Sequence, residues 1–425
     1  MADAITPSQI AHRSDLPILP SDWRWVQFSE TCDRVSVGYV GPTTEFFTDA
    51  PEGICFLRSQ NVRPGKLDFE DAISITPEFH KKIKKSQLSA GDILIVRVGA
   101  NRGDCCVVPT GMGELNCANI VFARPKHATG FHAYFFQSEL GRNLLLSASV
   151  GAAQGVINTG SVATMPVPFP PLAIQKRIAG ILSAYDELIE NSQRRVNILE
   201  SMARALYREW FVYFRFPGNE TVSRISTSDV DVPHGWEFSK LGDICELRKD
   251  QYREVDHSAL PLLDLSRMPS RSLAPSDTGT PDELSTSRIL FTKGDTLFGA
   301  IRCYLHKVVA VHYPGVTNTS VLVLRPKADC FRTLLSIVLS DIDTIRWAEK
   351  QSTGTKMPVI NWNVFQGMPI AIPSKALAMS FEEIAGPMLD EIGVLATKIE
   401  NLRRTRNQLL PRLLSGQINV EAFPV

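Results

Sequence analysis

The chain has 425 residues, 44% hydrophobic and 21% charged, with a formal net charge of zero. That is ordinary globular composition in a chain too long for one core, so two or three domains are expected, and any nucleic-acid surface must be a local patch. No apolar run approaches the roughly 20 residues of a membrane-spanning helix, and the eight cysteines (Cys32, Cys55, Cys105, Cys106, Cys117, Cys245, Cys303 and Cys330) include no Cys-x-x-Cys pair, which favours free buried thiols in a reducing cytoplasm over metal or redox sites.

Residues 1–19 read as a loosely ordered lead, since they lack the basic start and apolar core of a signal peptide. A first globular domain is expected over 20–171. It opens on Pro20-Ser21-Asp22-Trp23 and continues through mixed strand and turn segments. Thr76-Pro77 predicts a short helix with a threonine N-cap and proline at its first position. The Gly91-Asp92 turn then opens an apolar strand predicted over 93–98, and turn chemistry accounts for this pair without a functional role. The domain closes on Val156-Ile157-Asn158 and Met165-Pro166.

Residues 172–216 are of a different kind and predict a central helical spacer. Apolar positions step alternately by four and three through Ile178, Leu182, Tyr185, Ile189, Ser192, Val196, Leu199, Ala203, Leu206 and Trp210, a period of 3.5 that marks a coiled-coil seam. A second globular domain is expected over 217–375, with a Thr280-Pro281 helix and a Gly294-Asp295 strand predicted over 296–301. A C-terminal helical spacer follows over 376–425. Its seam is Met388, Ile392, Leu395, Ile399, Leu402, Arg406, Leu409 and Leu413, with Gly416 as the stop.

The two halves echo each other. Asn158 and Asn361, Met165 and Met368, and Gly151 and Gly354 all lie 203 residues apart, as do Gly91-Asp92-Ile93-Leu94 and Gly294-Asp295-Thr296-Leu297. Arg124-Pro125-Lys126 meets Arg325-Pro326-Lys327 at 201, Thr76-Pro77 meets Thr280-Pro281 at 204, and Pro20…Trp23 resembles Pro233…Trp236 at 213. A near-constant offset over so long a stretch is a duplicated domain and not a solenoid repeat. The expected fold class is α/β (mixed α+β): two duplicated globular domains separated by two long helices in an antiparallel coiled coil. Charge supports that direction. Arg194, Arg195, Arg204 and Arg208 would face Glu382, Glu383, Asp390 and Glu391, while Asp186, Glu187 and Glu190 would face Arg403, Arg404 and Arg406.

Catalytic signatures are absent. There is no GxxxxGK[ST] or GxGxxG phosphate loop, no H-E-x-x-H and no G-x-S-x-G. The Asn-Pro-Pro-aromatic or Asp-Pro-Pro-aromatic segment of an amino-methyltransferase is also missing, and no metal or cofactor is expected. Two similar domains held at a fixed separation suit a ligand that repeats along a line, as DNA does. The alternative is a coiled-coil scaffold with two protein-binding domains.

Pro170-Pro171-Leu172-Ala173-Ile174-Gln175-Lys176-Arg177-Ile178, followed by Met202-Ala203-Arg204-Ala205-Leu206-Tyr207-Arg208-Glu209-Trp210-Phe211, resembles the central conserved region of the specificity subunit of type I restriction-modification systems. Phe56-Leu57-Arg58-Ser59-Gln60-Asn61-Val62, the Gly-Asp-Ile-Leu strand and the Val-Ile-Asn…Met-Pro close resemble its target-recognition domain. The second copy departs at 375–384, which lacks Gln-Lys-Arg-Ile. The resemblance implies a non-catalytic cytoplasmic subunit that binds a bipartite site on double-stranded DNA. It would recruit two methyltransferase subunits and, with two ATP-driven restriction subunits, form the nuclease.

Base reading needs paired donors and acceptors, chiefly Arg on guanine and Asn or Gln on adenine; phosphate contacts need Lys, Arg and backbone amides. In the first domain the candidates are Arg58, Ser59, Gln60, Asn61, Lys82, Arg97, Asn101, Arg102 and Gln154, with Lys81, Lys84 and Lys85 beside Lys82 as a solvated basic run. In the second they are Arg302, Tyr304, Lys350, Gln351 and Lys356. The small-residue loops at 147–155 and 352–356 would let backbone approach phosphate; Asn158 and Asn361 read as structural. Gln175, Arg177, Arg204, Arg208, Trp210 and Phe211 are the candidates for partner docking.

Overall fold

The computed structural model describes residues 16–147, 155–218, 224–226, 231–233, 236–252, 260–284 and 287–420. Two compact units emerge, one of Met1–Asp186 with Arg404–Val425 and one of Glu187–Arg403.

In the first unit, β1 (Arg24–Gln27) follows a turn in which the Trp23 amide donates to the Pro20 carbonyl at 3.0 Å. β2 (Cys32–Val37), β3 (Ile93–Val96), β4 (Cys105–Val107) and β5 (Ile120–Pro125) form an antiparallel sheet in the order β2-β5-β3-β4. A second sheet joins Ile54–Leu57, Ile73–Ile75, Gln87–Leu88 and Leu115–Cys117. Helices α1 (Phe131–Gln137) and α2 (Glu139–Ser147) cover the first sheet, and β6 (Pro166–Phe169) closes the unit by pairing antiparallel with β1. The opening Pro-x-x-Trp and the closing Met-Pro are thus neighbours in space, which is why they recur together. From α3 (Leu172–Tyr207), Ile174, Ile178 and Leu182 enter the same core as Phe131, Phe135, Leu413 and Leu414.

The second unit repeats this order. β7 (Glu237–Lys240) pairs with the closing strand Pro369–Ile372. β8 (Cys245–Arg248), β9 (Thr296–Gly299), β10 (Val308–Ala310) and β11 (Val321–Pro326) form an antiparallel sheet in the order β8-β11-β9-β10. Ile93 pairs with Ala123 in the first sheet and Thr296 with Leu324 in the second. Helices α4 (Arg332–Leu339) and α5 (Ile342–Gln351) cover it, and α6 (Lys375–Leu414) ends at Gly416, whose φ of 72° makes the left-handed stop.

The echoed residues hold equivalent positions. Asp92 is 1% exposed and accepts from Arg124 Nε and Nη2 at 2.8 and 2.7 Å, while its Oδ2 also takes the Ser89 amide at 2.8 Å. Asp295, also 1% exposed, accepts from Arg325 Nε and Nη2 at 2.6 and 2.8 Å and takes the Thr292 amide. Each arginine is held charged by its buried carboxylate, which raises its pKa. The next lysine donates to a carbonyl in both copies, Lys126 to Glu30 and Lys327 to Gly242. Asn158 caps the helix Thr159–Ala163 through the Ser161 amide, and Asn361 caps Trp362–Phe365 through the Asn363 amide.

Several expectations are corrected. The strands predicted to 98 and 301 stop at Val96 and Gly299, because the chain turns left-handed at Gly99 and Arg302. Thr280-Pro281 begins only a 3-10 turn, Pro281–Glu283, closed by Glu283 accepting the Thr280 amide. On the helices, Asp186 pairs with Arg406 at 2.5 Å and Arg195 with Glu391 at 2.6 Å, as charge suggested. Glu382 and Asp390 instead hold Arg332 of the globular fold, and Arg194 and Arg204 bond Glu190 and Glu200 one turn back on their own helix. The seam positions of both helices are buried or half-buried, Ser192 among them.

Candidate nucleic-acid interface

In the first unit the chain after β3 folds into a tight loop. Gly99 and Gly103 take φ of 92° and 88°, and the Val96 amide donates to the Asp104 carbonyl at 2.9 Å. The segment before the Asn158 cap docks on this loop: the Ile157 amide donates to the Arg97 carbonyl at 3.0 Å, and Arg102 Nη1 bonds the Gly155 carbonyl. Arg97 reaches Asn119 Oδ1 at 3.3 Å through Nη1, while its Nε is buried with no partner. Asp104 anchors the loop's far end by accepting from Arg142 of α2 at 2.8 Å. Arg97, Asn101, Arg102 and Asn119 are therefore gathered on one edge.

The other first-unit candidates behave differently. Ser59–Asn61 form a separate 3-10 turn, with Arg58 extended just ahead of it. There Asn61 is buried, accepting the Arg58 amide and donating to Asp68, so its side chain serves the fold. Arg58 Nη2 donates to the Asp71 carbonyl; Gln60 is exposed and Ser59 half-buried. Lys82 is exposed, its ammonium 6.0 Å over the Phe46 ring. Gln154 lies outside the described residues.

The second unit builds the same edge. The Ile360 amide donates to the Ala300 carbonyl at 3.0 Å, matching Ile157 on Arg97. The loop after α5 folds back through mutual Thr353 and Val359 bonds of 3.0 and 2.9 Å, and the Arg302 amide donates to the Pro358 carbonyl at 2.8 Å. Arg302, Tyr304 and Lys356 stand exposed on these two loops, with Lys350 and Gln351 exposed at the end of α5. Below the edge, burial pushes the Cys303 thiol up and holds His306 under the usual imidazole range, so neither carries charge there near neutrality.

Sequence reasoning missed Asn119 and Met357. Asn119 is exposed with φ of 53°, and asparagine ahead of an apolar strand is a detectable left-handed turn signal. Met357 is 51% exposed on the loop beside Lys356, and nothing in its local pattern marks it.

Of the docking candidates, Gln175 is buried, bonded to the Pro170 carbonyl and Thr129, and Arg177 donates to the Val420 carbonyl. Trp210 and Phe211 pack against Phe381 in the second core. These four hold the fold together. Arg204 and the exposed Arg208 line a cleft of about 490 Å³ with Arg271, His306 and Asp341. Among the described residues, no cluster of His, Cys, Asp or Glu could hold a metal ion, and no helix is long and apolar enough to cross a membrane.

Residues 49–201 match the family model for the type I restriction modification DNA specificity domain. The chain is 25% identical over 305 residues to the type I restriction enzyme MjaIX specificity subunit of Methanocaldococcus jannaschii, covering 68% of each chain. It is also 25% identical over 170 residues to the MjaVIII specificity subunit of the same organism, covering 40% of this chain and 39% of that one. The crystal structure of a type I restriction-modification system S subunit from M. genitalium shares the fold, with a TM-score of 0.59 at 15% identity over 92% of this chain and 96% of that one. The chain is thus similar in sequence to type I restriction enzyme specificity subunits over 68% of its length.

Proposed function

We propose that this chain is the non-catalytic sequence-specificity subunit of a cytoplasmic type I restriction-modification complex, without a cofactor of its own. Two duplicated target-recognition domains, 20–171 and 217–375, each read one half of a bipartite site on double-stranded DNA. The observation that carries this reading is the recurring edge. In both units the loop after the Gly-Asp strand and the segment before the Val-Ile-Asn cap are bonded together, through Ile157 to Arg97 and Ile360 to Ala300. Each edge presents donors suited to base edges and phosphates, namely Arg97, Asn101 and Arg102, and Arg302, Tyr304 and Lys356.

The spacers 172–216 and 376–425 form an antiparallel coiled coil that sets the gap between half-sites. Climbing α3 from Asp186 to Arg195 descends α6 from Arg406 to Glu391, which supports that direction. The 36 residues of α3 are roughly 54 Å of helix at about 1.5 Å per residue. Two methyltransferase subunits dock along the helical region, with Arg208 as an exposed basic contact beside Arg204, and two ATP-dependent restriction subunits complete the nuclease.

The test is methylation mapping of genomic DNA exposed to the chain assembled with its methyltransferase subunit. One asymmetric bipartite motif is expected; methylation without sequence preference would sink the reading. Replacing 20–165 with the corresponding part of another specificity subunit should change one half-site only. Removing one heptad, about seven residues, from each helix should shorten the gap; unchanged spacing removes the ruler role.

A further inference from the structure

The two reading loops differ at their left-handed positions. The first copy uses glycine twice, Gly99 and Gly103, with φ of 92° and 88°. The second has Arg302 and His306 there, with φ of 52° and 53°. Hydrogen bonds fix the equivalence. Val96 donates to Asp104 and Gly299 to Lys307, both at 2.9 Å; Arg102 donates to Gly99 at 3.2 Å and Leu305 to Arg302 at 2.8 Å.

A side chain at such a position strains the backbone, whereas glycine does not. The His306 side chain has a use within the fold, since its Nε2 meets the Ser340 carbonyl at 2.8 Å. Arg302 has none: it is exposed and its guanidinium has no partner among the described residues. Its backbone is nevertheless held in place, with the amide on Pro358 and the carbonyl taking Leu305. Around it stand Tyr304, 50% exposed, Met357 and Lys356. An arginine at a glycine position, adding no bond to the fold and aimed outward from a rigid turn, serves something outside the chain.

We propose that Arg302 is a specificity-determining residue whose guanidinium takes the O6 and N7 acceptors of one guanine in the second half-site. Its planar fork of donors matches those two acceptors in the major groove. In the first copy the equivalent position carries no side chain. Reading there falls to Arg97, two residues earlier, where the second copy has Ala300. The proposal rests on the DNA-reading role above.

The experiment selects bound sequences from a pool of randomised duplex DNA, using the full chain as wild type, Arg302→Gly and Arg302→Lys. Arg302→Gly is expected to retain the first half-site and lose preference at one G·C pair of the second by about ten- to a hundredfold. Its melting temperature should equal the wild type's or exceed it by about 2–4 °C. Arg302→Lys keeps the charge without the fork, and should lose the same preference while binding other sequences as tightly. Unchanged selection by Arg302→Gly overturns the proposal. So does uniform weakening of both variants at unchanged sequence preference, which marks a phosphate contact, and so does a melting temperature several degrees lower, which marks a structural residue. A wild-type chain that selects no bipartite sequence sinks both this proposal and the function it rests on.

Discussion

The two globular units keep one framework and carry two different edges. Framework pairs recur unit for unit: Asp92–Arg124 and Asp295–Arg325, the lysine on a carbonyl that follows each arginine, and the Asn158 and Asn361 caps. Between them the residues of the loop after the Gly-Asp strand change at most positions. Arg97 becomes Ala300, Gly99 becomes Arg302, Asn101 becomes Tyr304, Arg102 becomes Leu305, and Gly103 becomes His306. Elements that close the sheet tolerate little change because they are buried and hydrogen-bonded. The loops are held mainly through backbone bonds, such as Val96 to Asp104 and Gly299 to Lys307, which leave their side chains freer to differ.

The largest expected effect tests the shared framework. Arg124→Met or Arg325→Met leaves a carboxylate that is 1% exposed without its partner. Each should cost about 3–5 kcal/mol, by the same mechanism in both units. Urea unfolding of the two variants measures this. A difference of more than about 2 kcal/mol between them would break the parity of the two frameworks.

Acid should act on both units from sites that are not equivalent. Burial pushes His132 of α1 and His312, just past β10, down to about 4 from the usual 6.5. The unfolded chain then binds protons first, so stability is full above pH 6.5 and is lost as pH falls from 6.5 toward 4. At pH 5 the loss should be about 2 kcal/mol for each histidine. His132→Gln and His312→Gln should each flatten part of this slope in denaturation measured at pH 7 and pH 5. An unaltered slope would locate the acid sensitivity elsewhere.

A smaller effect separates the two edges. Gly99→Ala meets no atom within 4 Å, so its cost is conformational alone and should be about 1–2 kcal/mol, set by the φ of 92°. Arg302 already bears that strain, so Arg302→Ala should cost nothing of this kind. Thermal unfolding of both variants checks the sign of the contrast.

What the sequence made legible follows from how local the signal is. The Gly-Asp turns and the Thr76 cap depend on near neighbours and appear where their residues predicted, and the positions of the 3.5-residue pattern are buried or half-buried. The partner of Asp92 lies 32 residues away on an adjacent strand; no periodicity points to it, though the recurring Arg-Pro-Lys marks its position. The charges on α6 were readable, but not that Arg332 would take Glu382 and Asp390. Trp210, Phe211 and Gln175 are buried in the fold, and helical spacing says which residues share a face and not what covers it. The left-handed Arg302 was hidden because sequence rules expect glycine at such a turn.

The smallest effect bears on how framework and edge communicate. Asn158→Ala and Asn361→Ala each remove one cap bond and should cost about 1 kcal/mol, with aspartate at either position restoring most of it. Yet each cap directly follows the isoleucine whose amide ties the two loops of its edge together, Ile157 on Arg97 and Ile360 on Ala300. Loosening Asn158 should therefore relax selectivity at the first half-site and leave the second intact, and Asn361→Ala should do the reverse. Selection from randomised duplex DNA reads both at once. If each variant loses the same stability but neither half-site changes, the caps are framework alone and the edges hold their geometry without them.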